Sequence, residues 1–255
     1  MTLNYLTSKN LIDHKNNNFF HGFFTRKGGV SKKNFSSLNC GFVDGEIRQN
    51  VLKNRDIACQ NFLSKNNYRL IVLNQIHSNK IINIDEERNY DQINGDGMIT
   101  SYPKNILGIL TADCAPIIFY GEKYVGIIHA GWKGLINGII SEIILLLKKN
   151  GELEKNISCS VGPHLRQRSF EVKIDFVQKL LKKSQDNDAF LSYKLNKIYF
   201  DSSKFIELNL YANGLRNFSI SEYDTFSNPK MFFSYRRNKK LNEVCGRQIS
   251  LVGIK

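Results

Sequence analysis

Two apolar, β-branched runs flank Gly121-Glu122 within residues 107–134, LGILTADCAPIIFYGEKYVGIIHAGWKG. They predict a β-hairpin with a two-residue Gly-X turn. Such a turn sets Tyr120 opposite Lys123, Phe119 opposite Tyr124 and Cys114 opposite His129. Directly opposed residues share a sheet face, with Cβ atoms about 4.5–5.5 Å apart. A thiolate and an imidazole at that separation serve two chemistries. They bind one zinc ion, with bonds of about 2.3 Å to sulfur and 2.0–2.1 Å to nitrogen, or they act as a Cys-His nucleophile pair without metal.

A third candidate, His77, follows Asn74-Gln75-Ile76 near the end of a hydrophobic run. Two histidines and one cysteine make a plausible catalytic zinc set with a fourth position open; spacing alone does not bring His77 to the hairpin. His164, after Gly162-Pro163, is a further histidine within possible reach, whereas His14 and His21 have no supporting neighbours. Asp113 flanks Cys114, but strand alternation points it to the opposite face. Arg26, Arg236, Arg237 and Arg247 sit beside glycines or turns, where anion contacts are common, although each taken singly reads as a solvated surface residue.

These residues need a scaffold, and the pattern along the chain supplies one. FFHGFFTRKGGVS (19–31) reads as a strand entering a Gly-Gly turn, and EIRQNVLKNRDIACQNFL as a helix. NYRLIVLNQIHSNKIINI (67–84) reads as a strand crossing a sheet, and IDEERNYDQINGDGMITS as a surface loop ending in a short strand, its glycines being plain turn residues. LINGIISEIILLLKKNG is a long helix stopped by Lys148, Lys149 and Gly151. ISCSVGPH is a strand, KIDFVQKLLKKS an amphipathic helix, and YFDSSKFIELNLYANG a helix capped by Asp201 and closed by Gly214. RNFSISEYDT is a strand, FFSYRRNKK an exposed basic segment and GRQISLVGIK a closing strand. The elements mix without a βαβ period, repeat or linker, which predicts one α+β domain over residues 1–255.

The composition, 42% hydrophobic and 23% charged over 255 residues, is that of a soluble globular protein with a sizeable core. No stretch is long enough to span a bilayer, and the first residues lack the apolar run of a signal peptide, so a cytoplasmic location is expected. The five cysteines are scattered with no CxxC pair, which argues against a disulfide framework or zinc ribbon. The net charge of +13 fits compositional bias together with a basic site for anionic substrates such as phosphate better than a nucleic-acid surface, because the lysines are dispersed. Walker A, GxGxxG, HExxH and GxSxG motifs are all absent.

The blocks NQIH, GDGMIT, TADCAPIIFY, HAGWKGLINGII, VGPH…FEV, FFSYRR and GRQ, in that order, resemble the YfiH-like family, often labelled polyphenol oxidases or laccase-domain proteins. The resemblance runs from about FFTRKGGVS to the C-terminus. It implies an α/β/β/α sandwich with mixed sheets, related to the catalytic domain of cytotoxic necrotizing factor, a Cys-His deamidase. It also implies one zinc held by His77, Cys114 and His129, which are then the catalytic residues as well. Members are described as purine nucleoside phosphorylases cleaving adenosine, inosine and methylthioadenosine with phosphate, and as adenosine deaminases. Others are described as copper-dependent laccases or linked to peptidoglycan precursor editing. The implied partners are purine nucleosides and phosphate, with no nucleic acid or membrane. The phosphate would be held by Arg26, Arg236 and Arg247. Deamination needs a general base, for which Glu171 is the candidate, because the H-x-E and P-C-x-x-C deaminase pattern is missing.

Two departures stand out. VGPHLRQRSFEV carries His164 and two arginines where many members have small residues or Cys, and Trp132-Lys133-Gly134 usually reads Trp-Arg-Gly. A multicopper oxidase needs several copper sites, and five histidines are few for them; one N/N/S site still binds copper(II) more tightly than zinc. A metal-free hydrolase using Cys114 activated by His129 is the other alternative.

Overall fold

The computed structural model describes residues 5–12, 18–64, 68–85, 89–90 and 92–255. His14 and residues 86–88 and 91 of the expected surface loop lie outside them. A five-stranded sheet has the order β1 (Tyr5–Leu6), β2 (Phe19–Phe24), β14 (Gln248–Ile254), β6 (Asn105–Thr111), β3 (Arg69–Ile71). A six-stranded sheet has the order β13 (Phe218–Ile220), β9 (Ser158–Val161), β7 (Ala115–Tyr120), β8 (Val125–Ala130), β5 (Gly97–Thr100), β4 (Ile81–Asn83). Both are mixed, because β3–β6, β4–β5 and β9–β13 pair parallel and their other pairs antiparallel. A small third sheet joins β10 (Glu171–Val172), β12 (Lys197–Phe200) and β11 (Leu191–Lys194).

The apolar alternation of the strands sorts into layers. Ile118 and Tyr120 of β7 and Val125 and Ile127 of β8 pack with Leu107, Ile109 and Val252 between the two large sheets. Their neighbours Ile117, Phe119 and Ile128 face the helices instead. Those helices are α4 (Ile139–Lys149), α5 (Ile174–Lys183) and α6 (Ser202–Ala212). The outer face of the five-stranded sheet, Phe20, Phe24, Ile106 and Leu251, packs on Ala58 and Cys59 of α2 (Arg48–Cys59). The result is the expected α/β/β/α layering. A short α1 (Lys9–Ile12) and two further short helices, α3 (Trp132–Ile136) and α7 (Tyr235–Lys240), complete the elements used below.

Three local readings of the sequence are corrected. Residues 67–84 form no single strand: β3 lies in one sheet and β4 in the other, with a loop between them. The helix expected from Leu135 is broken into α3 and α4 at Gly138, whose φ of 84° is left-handed. FFSYRRNKK is not simply an exposed basic segment: Phe232 and Phe233 are buried, and Ser234 caps α7 by accepting from the Arg237 N–H. The closing strand is present as β14, and it lies in the middle of its sheet.

His21 and His164 are both buried and fully bonded. The Ser8 N–H donates to His21 Nε2 at 2.9 Å, so its Nδ1–H faces the Tyr120 hydroxyl at 2.8 Å. His164 Nδ1–H donates to the Gly162 carbonyl at 2.9 Å, leaving Nε2 to accept from Ser203 at 2.8 Å. Burial pushes both imidazoles down to about 4. An unfolded chain takes up these protons near pH 6.5, and the folded one only near pH 4. The stability from keeping them neutral is therefore full above pH 6.5 and lost as pH falls toward 4, by up to about 3 kcal/mol per histidine. Urea unfolding between pH 7 and 4 is expected to show this loss, and His164→Gln to flatten part of the slope.

Candidate metal centre

The hairpin carrying Cys114 and His129 has a different register from the one its turn predicts. Pro116, not Cys114, pairs with His129, and Tyr120 pairs with Val125. The turn spans Gly121-Glu122-Lys123-Tyr124, closed by the Gly121 N–H on the Tyr124 carbonyl at 2.8 Å. The cause is Glu152, whose carboxylate accepts the N–H groups of Glu122, Lys123 and Tyr124 at 2.6, 2.7 and 2.8 Å. A Cβ on residue 121 would overlap that carboxylate, so the turn requires glycine there. Cys114 thus lies just before β7, beyond the last ladder pair. It still meets His129, because Asp113 turns the chain with a φ of 93°.

His77 is brought in by a residue that looked like part of a turn. Asp96, between Gly95 and Gly97, is fully buried, and its carboxylate gathers the loop between β3 and β4. Oδ1 accepts the His77 N–H at 3.0 Å; Oδ2 accepts the Ile76 N–H at 3.2 Å and the Ser78 N–H and hydroxyl at 2.6 and 2.7 Å. These bonds hold His77 at a φ of 59°. The Gln75 amide pins the same loop to β6 by pairing with both backbone groups of Leu110 at 2.8 Å. Asp96 also binds the second histidine: Oδ1 accepts His129 Nδ1–H at 2.8 Å, and the Asp96 carbonyl accepts the His129 N–H at 2.7 Å.

The outcome is a cluster in which one donor atom each of His77, Cys114 and His129 lies within 4.8 Å of the others. The two imidazoles meet edge to face with ring centroids 4.7 Å apart. His129 is buried, Cys114 half-buried and His77 exposed, so the cluster opens to solvent on the His77 side. Burial pushes the Cys114 thiol up, but the charge of His129 and hydrogen bonds from His129 and His77 outweigh it and bring the thiol down to about 6. Burial likewise opposes charge on His129, yet the Cys114 thiolate and Asp96 raise it to about 9. Asp96 itself falls to about 2: burial raises it, and the bonds from His129 and Ser78 more than compensate.

This donor set fits a metal ion. One thiolate and two imidazoles are the borderline-soft ligands that zinc and copper take. Tetrahedral bonds of about 2.0–2.3 Å put ligand atoms roughly 3.3–3.8 Å apart, so donors within 4.8 Å of one another close on one ion by side-chain adjustment on the order of an ångström. With Nδ1 of His129 committed to Asp96, its Nε2 is the atom left for a metal, the carboxylate–histidine–metal arrangement that fixes tautomer and ring orientation. The donors fit either zinc or copper; they do not choose between them. Among the described residues this is the one such group of three or more histidine, cysteine or carboxylate ligands.

Glycine lets the next element close over the cluster. A Cβ on Gly131 would lie 2.9 Å from the His77 ring, 3.4 Å from Cys114 Sγ and 3.5 Å from His129. One on Gly134, in α3, would lie 2.7 Å from the Ser78 carbonyl. Gly131→Ala is expected to displace the exposed His77 ring and weaken metal binding about 10-fold, in the range seen when a ligand's support is disturbed. Its melting temperature should change little, which calorimetry with and without zinc can check.

The other sequence candidates fall elsewhere or into supporting roles. His164 is tied to Gly162 and Ser203 and is no member of the cluster. The Arg26 guanidinium donates to the carbonyls of Ser36, Asn34 and Pro229 and stacks 4.3 Å over Phe233. Arg247 donates to the Cys245 and Gly246 carbonyls, and Arg237 to those of Thr225, Phe226 and Phe232. Arg236 gives one nitrogen to the Glu171 carbonyl, and its backbone N–H goes to Asp113, the neighbour of Cys114. The Glu171 carboxylate pairs with Lys197 at 3.1 Å. Asp96 is the site residue the sequence reading missed; its signal was an acid between two glycines opening a strand, 18 to 20 residues beyond the loop it anchors.

Fold and site together define an α/β/β/α protein with a solvent-open, carboxylate-supported Cys-His-His centre at the end of its inter-sheet layer. Residues 20–255 match the family described as multi-copper polyphenol oxidoreductase laccase, and the chain belongs to that YfiH-like family. It is 36% identical over 184 residues to a purine nucleoside phosphorylase of Rickettsia conorii, covering 71% of this chain and 75% of the relative. It is 28% identical over 232 residues to the purine nucleoside phosphorylase YfiH of Escherichia coli, covering 89% and 90%. Among solved structures, the YfiH protein of Bacillus licheniformis superposes with a TM-score of 0.84 at 28% identity, covering 94% of each chain. A Neisseria meningitidis protein does so with a TM-score of 0.84 at 26% identity, covering 99% of each.

Proposed function

We propose that this protein is a zinc-dependent purine nucleoside phosphorylase that converts adenosine, inosine or methylthioadenosine and phosphate to the free base and the ribose 1-phosphate. The observation that carries the reading is the Cys114, His77 and His129 cluster clamped by one buried aspartate, in a chain whose relatives bear that name. Cys114, His77 and His129 would hold the metal, which when bound supplies Lewis-acid polarisation of the reacting nucleoside. In phosphorolysis a phosphate oxygen attacks the ribose C1′, the glycosidic C–N bond breaks, and its electron pair leaves on the purine, which is then protonated. Asp96 keeps the His129 ring oriented throughout. Arg236 is assigned to holding phosphate: its backbone N–H is bonded to Asp113 beside the cluster, and its guanidinium gives one nitrogen to the Glu171 carbonyl. Arg26 and Arg247, with more of their donors committed to carbonyls, are assigned to holding phosphate with less support from their contacts.

Adenosine deamination is the second activity assigned to this centre. It differs in needing no phosphate and in yielding inosine, and Glu171 enters it only if its pairing with Lys197 is broken. A laccase reading has against it that the described residues offer a single three-ligand group, whereas multi-copper chemistry needs several. The thiol reading has one observation in its favour, a Cys114 thiolate beside a protonated His129. Adenosine incubated with protein, zinc and phosphate should yield adenine and ribose 1-phosphate. Products that form equally without phosphate would assign the activity to hydrolysis or deamination instead.

A further inference from the structure

The corner between β6 and β7 carries another carboxylate, the half-buried Asp113, with its own partners. Asp113 has a φ of 93°, where a non-glycine side chain is strained. A strained backbone persists only when its surroundings over-determine it, and here they do. Asp113 Oδ1 accepts the Thr225 hydroxyl at 2.6 Å, and Oδ2 accepts the Arg236 N–H at 2.6 Å. The Asp113 carbonyl accepts the Leu165 N–H at 2.9 Å. Three segments remote in sequence, at 165, 225 and 236, are thus fastened to the residue immediately before Cys114.

The consequence lies in where the sulfur goes. In the hairpin ladder Pro116 occupies the place opposite His129, and the ladder ends at Ala115–Ala130. A chain continuing as extended strand would carry residue 114 past the end of β8. The left-handed step at 113 instead leaves the Cys114 sulfur grouped with both imidazoles. We propose that Asp113 is a positioning residue for Cys114: its carboxylate, clamped by Thr225 and the Arg236 N–H, holds the backbone corner that aims the sulfur at His77 and His129. Asp96 thereby places the two histidines and Asp113 the cysteine. The same clamp couples the start of α7, with Arg236, to the position of the sulfur.

The inference concerns geometry and rests on the proposed function only in taking the cluster as a metal site, so its test reads metal affinity and structure rather than turnover. Asp113→Ala removes both acceptors, and Thr225→Val removes one donor without touching the corner. Zinc affinity, titrated calorimetrically well below the melting temperature, is expected to fall 10- to 100-fold in Asp113→Ala and about 3- to 10-fold in Thr225→Val. A crystal structure of Asp113→Ala should find the sulfur outside the 4.8 Å cluster of ligand atoms. Should Asp113→Ala fail to fold, Thr225→Val and its structure decide alone. Folded variants with affinities within twofold of the parent and an unmoved sulfur overturn the proposal. Absence of zinc binding in the parent would count against the metal reading, and the sulfur position would then decide the positioning role by itself.

Discussion

Cys114→Ser is expected to cut phosphorolysis by about a thousandfold or more and zinc affinity by at least about 100-fold, while leaving the fold intact. Serine is nearly isosteric, but its hydroxyl stays protonated near neutral pH and is a poor ligand for a borderline-soft ion. The thiol, by contrast, is held at about 6 by the imidazoles around it, so a thiolate stands ready at pH 7. Cys114 belongs to no apolar cluster of the core, and the melting temperature of the metal-free variant should match that of the metal-free parent within a few degrees. Steady-state rates, calorimetric zinc titration and thermal melts check the three parts. A serine variant that keeps tight zinc binding would remove sulfur from the ligand set.

Asp96→Asn has the largest expected effect on the scaffold itself. One buried carboxylate accepts from His129 Nδ1, from three consecutive N–H groups at 76–78 and from the Ser78 hydroxyl. An amide offers one oxygen and turns an NH2 toward donors that cannot accept. Leaving one or two buried donors unpaired costs about 2–4 kcal/mol. The His77 loop then loses the bonds that hold its left-handed residue, and His129 loses the partner that fixes its tautomer, so zinc affinity should fall about 10- to 100-fold. Because the native carboxyl sits near 2, well below the unfolded value, its contribution to stability is full above pH 4 and lost as pH falls toward 2. Urea unfolding at pH 7 and at pH 3 should therefore separate parent and variant more at pH 7.

The Cys-His hairpin and most of the long strands were legible because apolar alternation and β-branched runs report directly on burial, whereas the α/β/β/α layering followed from the family resemblance. The register was not. It is fixed by Glu152, thirty residues beyond the turn it binds, and a Gly-Glu pair reads as a two-residue turn when that carboxylate is left out. Likewise Ile76-His77-Ser78 prolongs a hydrophobic run, and only the Asp96 carboxylate, from a segment that reads as Gly-Asp-Gly turn chemistry, makes it a loop. These two misses share one origin: a buried acid binding consecutive backbone N–H groups far away in sequence overrides local propensity. The break at Gly138 is a different case. Asn137-Gly138 is an ordinary turn signal, masked by the apolar periodicity on both sides. The Asp113 carboxylate does turn away from the ligand atoms to Thr225 and Arg236, but at a left-handed corner between two strands and not by strand alternation.

No described helix is long and apolar enough to cross a membrane, and basic residues dominate the charge at +13. The positive charge suits the proposed binding of anionic phosphate. The account stands or falls on whether phosphorolysis depends on a metal at the Cys114 centre. The direct measurement is the ribose 1-phosphate released from adenosine and phosphate by protein stripped with chelator and then titrated with zinc. The account predicts a baseline rate after stripping, full recovery at about one zinc per chain, and no recovery in Cys114→Ser. Full activity in the continued presence of chelator would contradict it and return Cys114 and His129 to the role of a metal-free thiol pair.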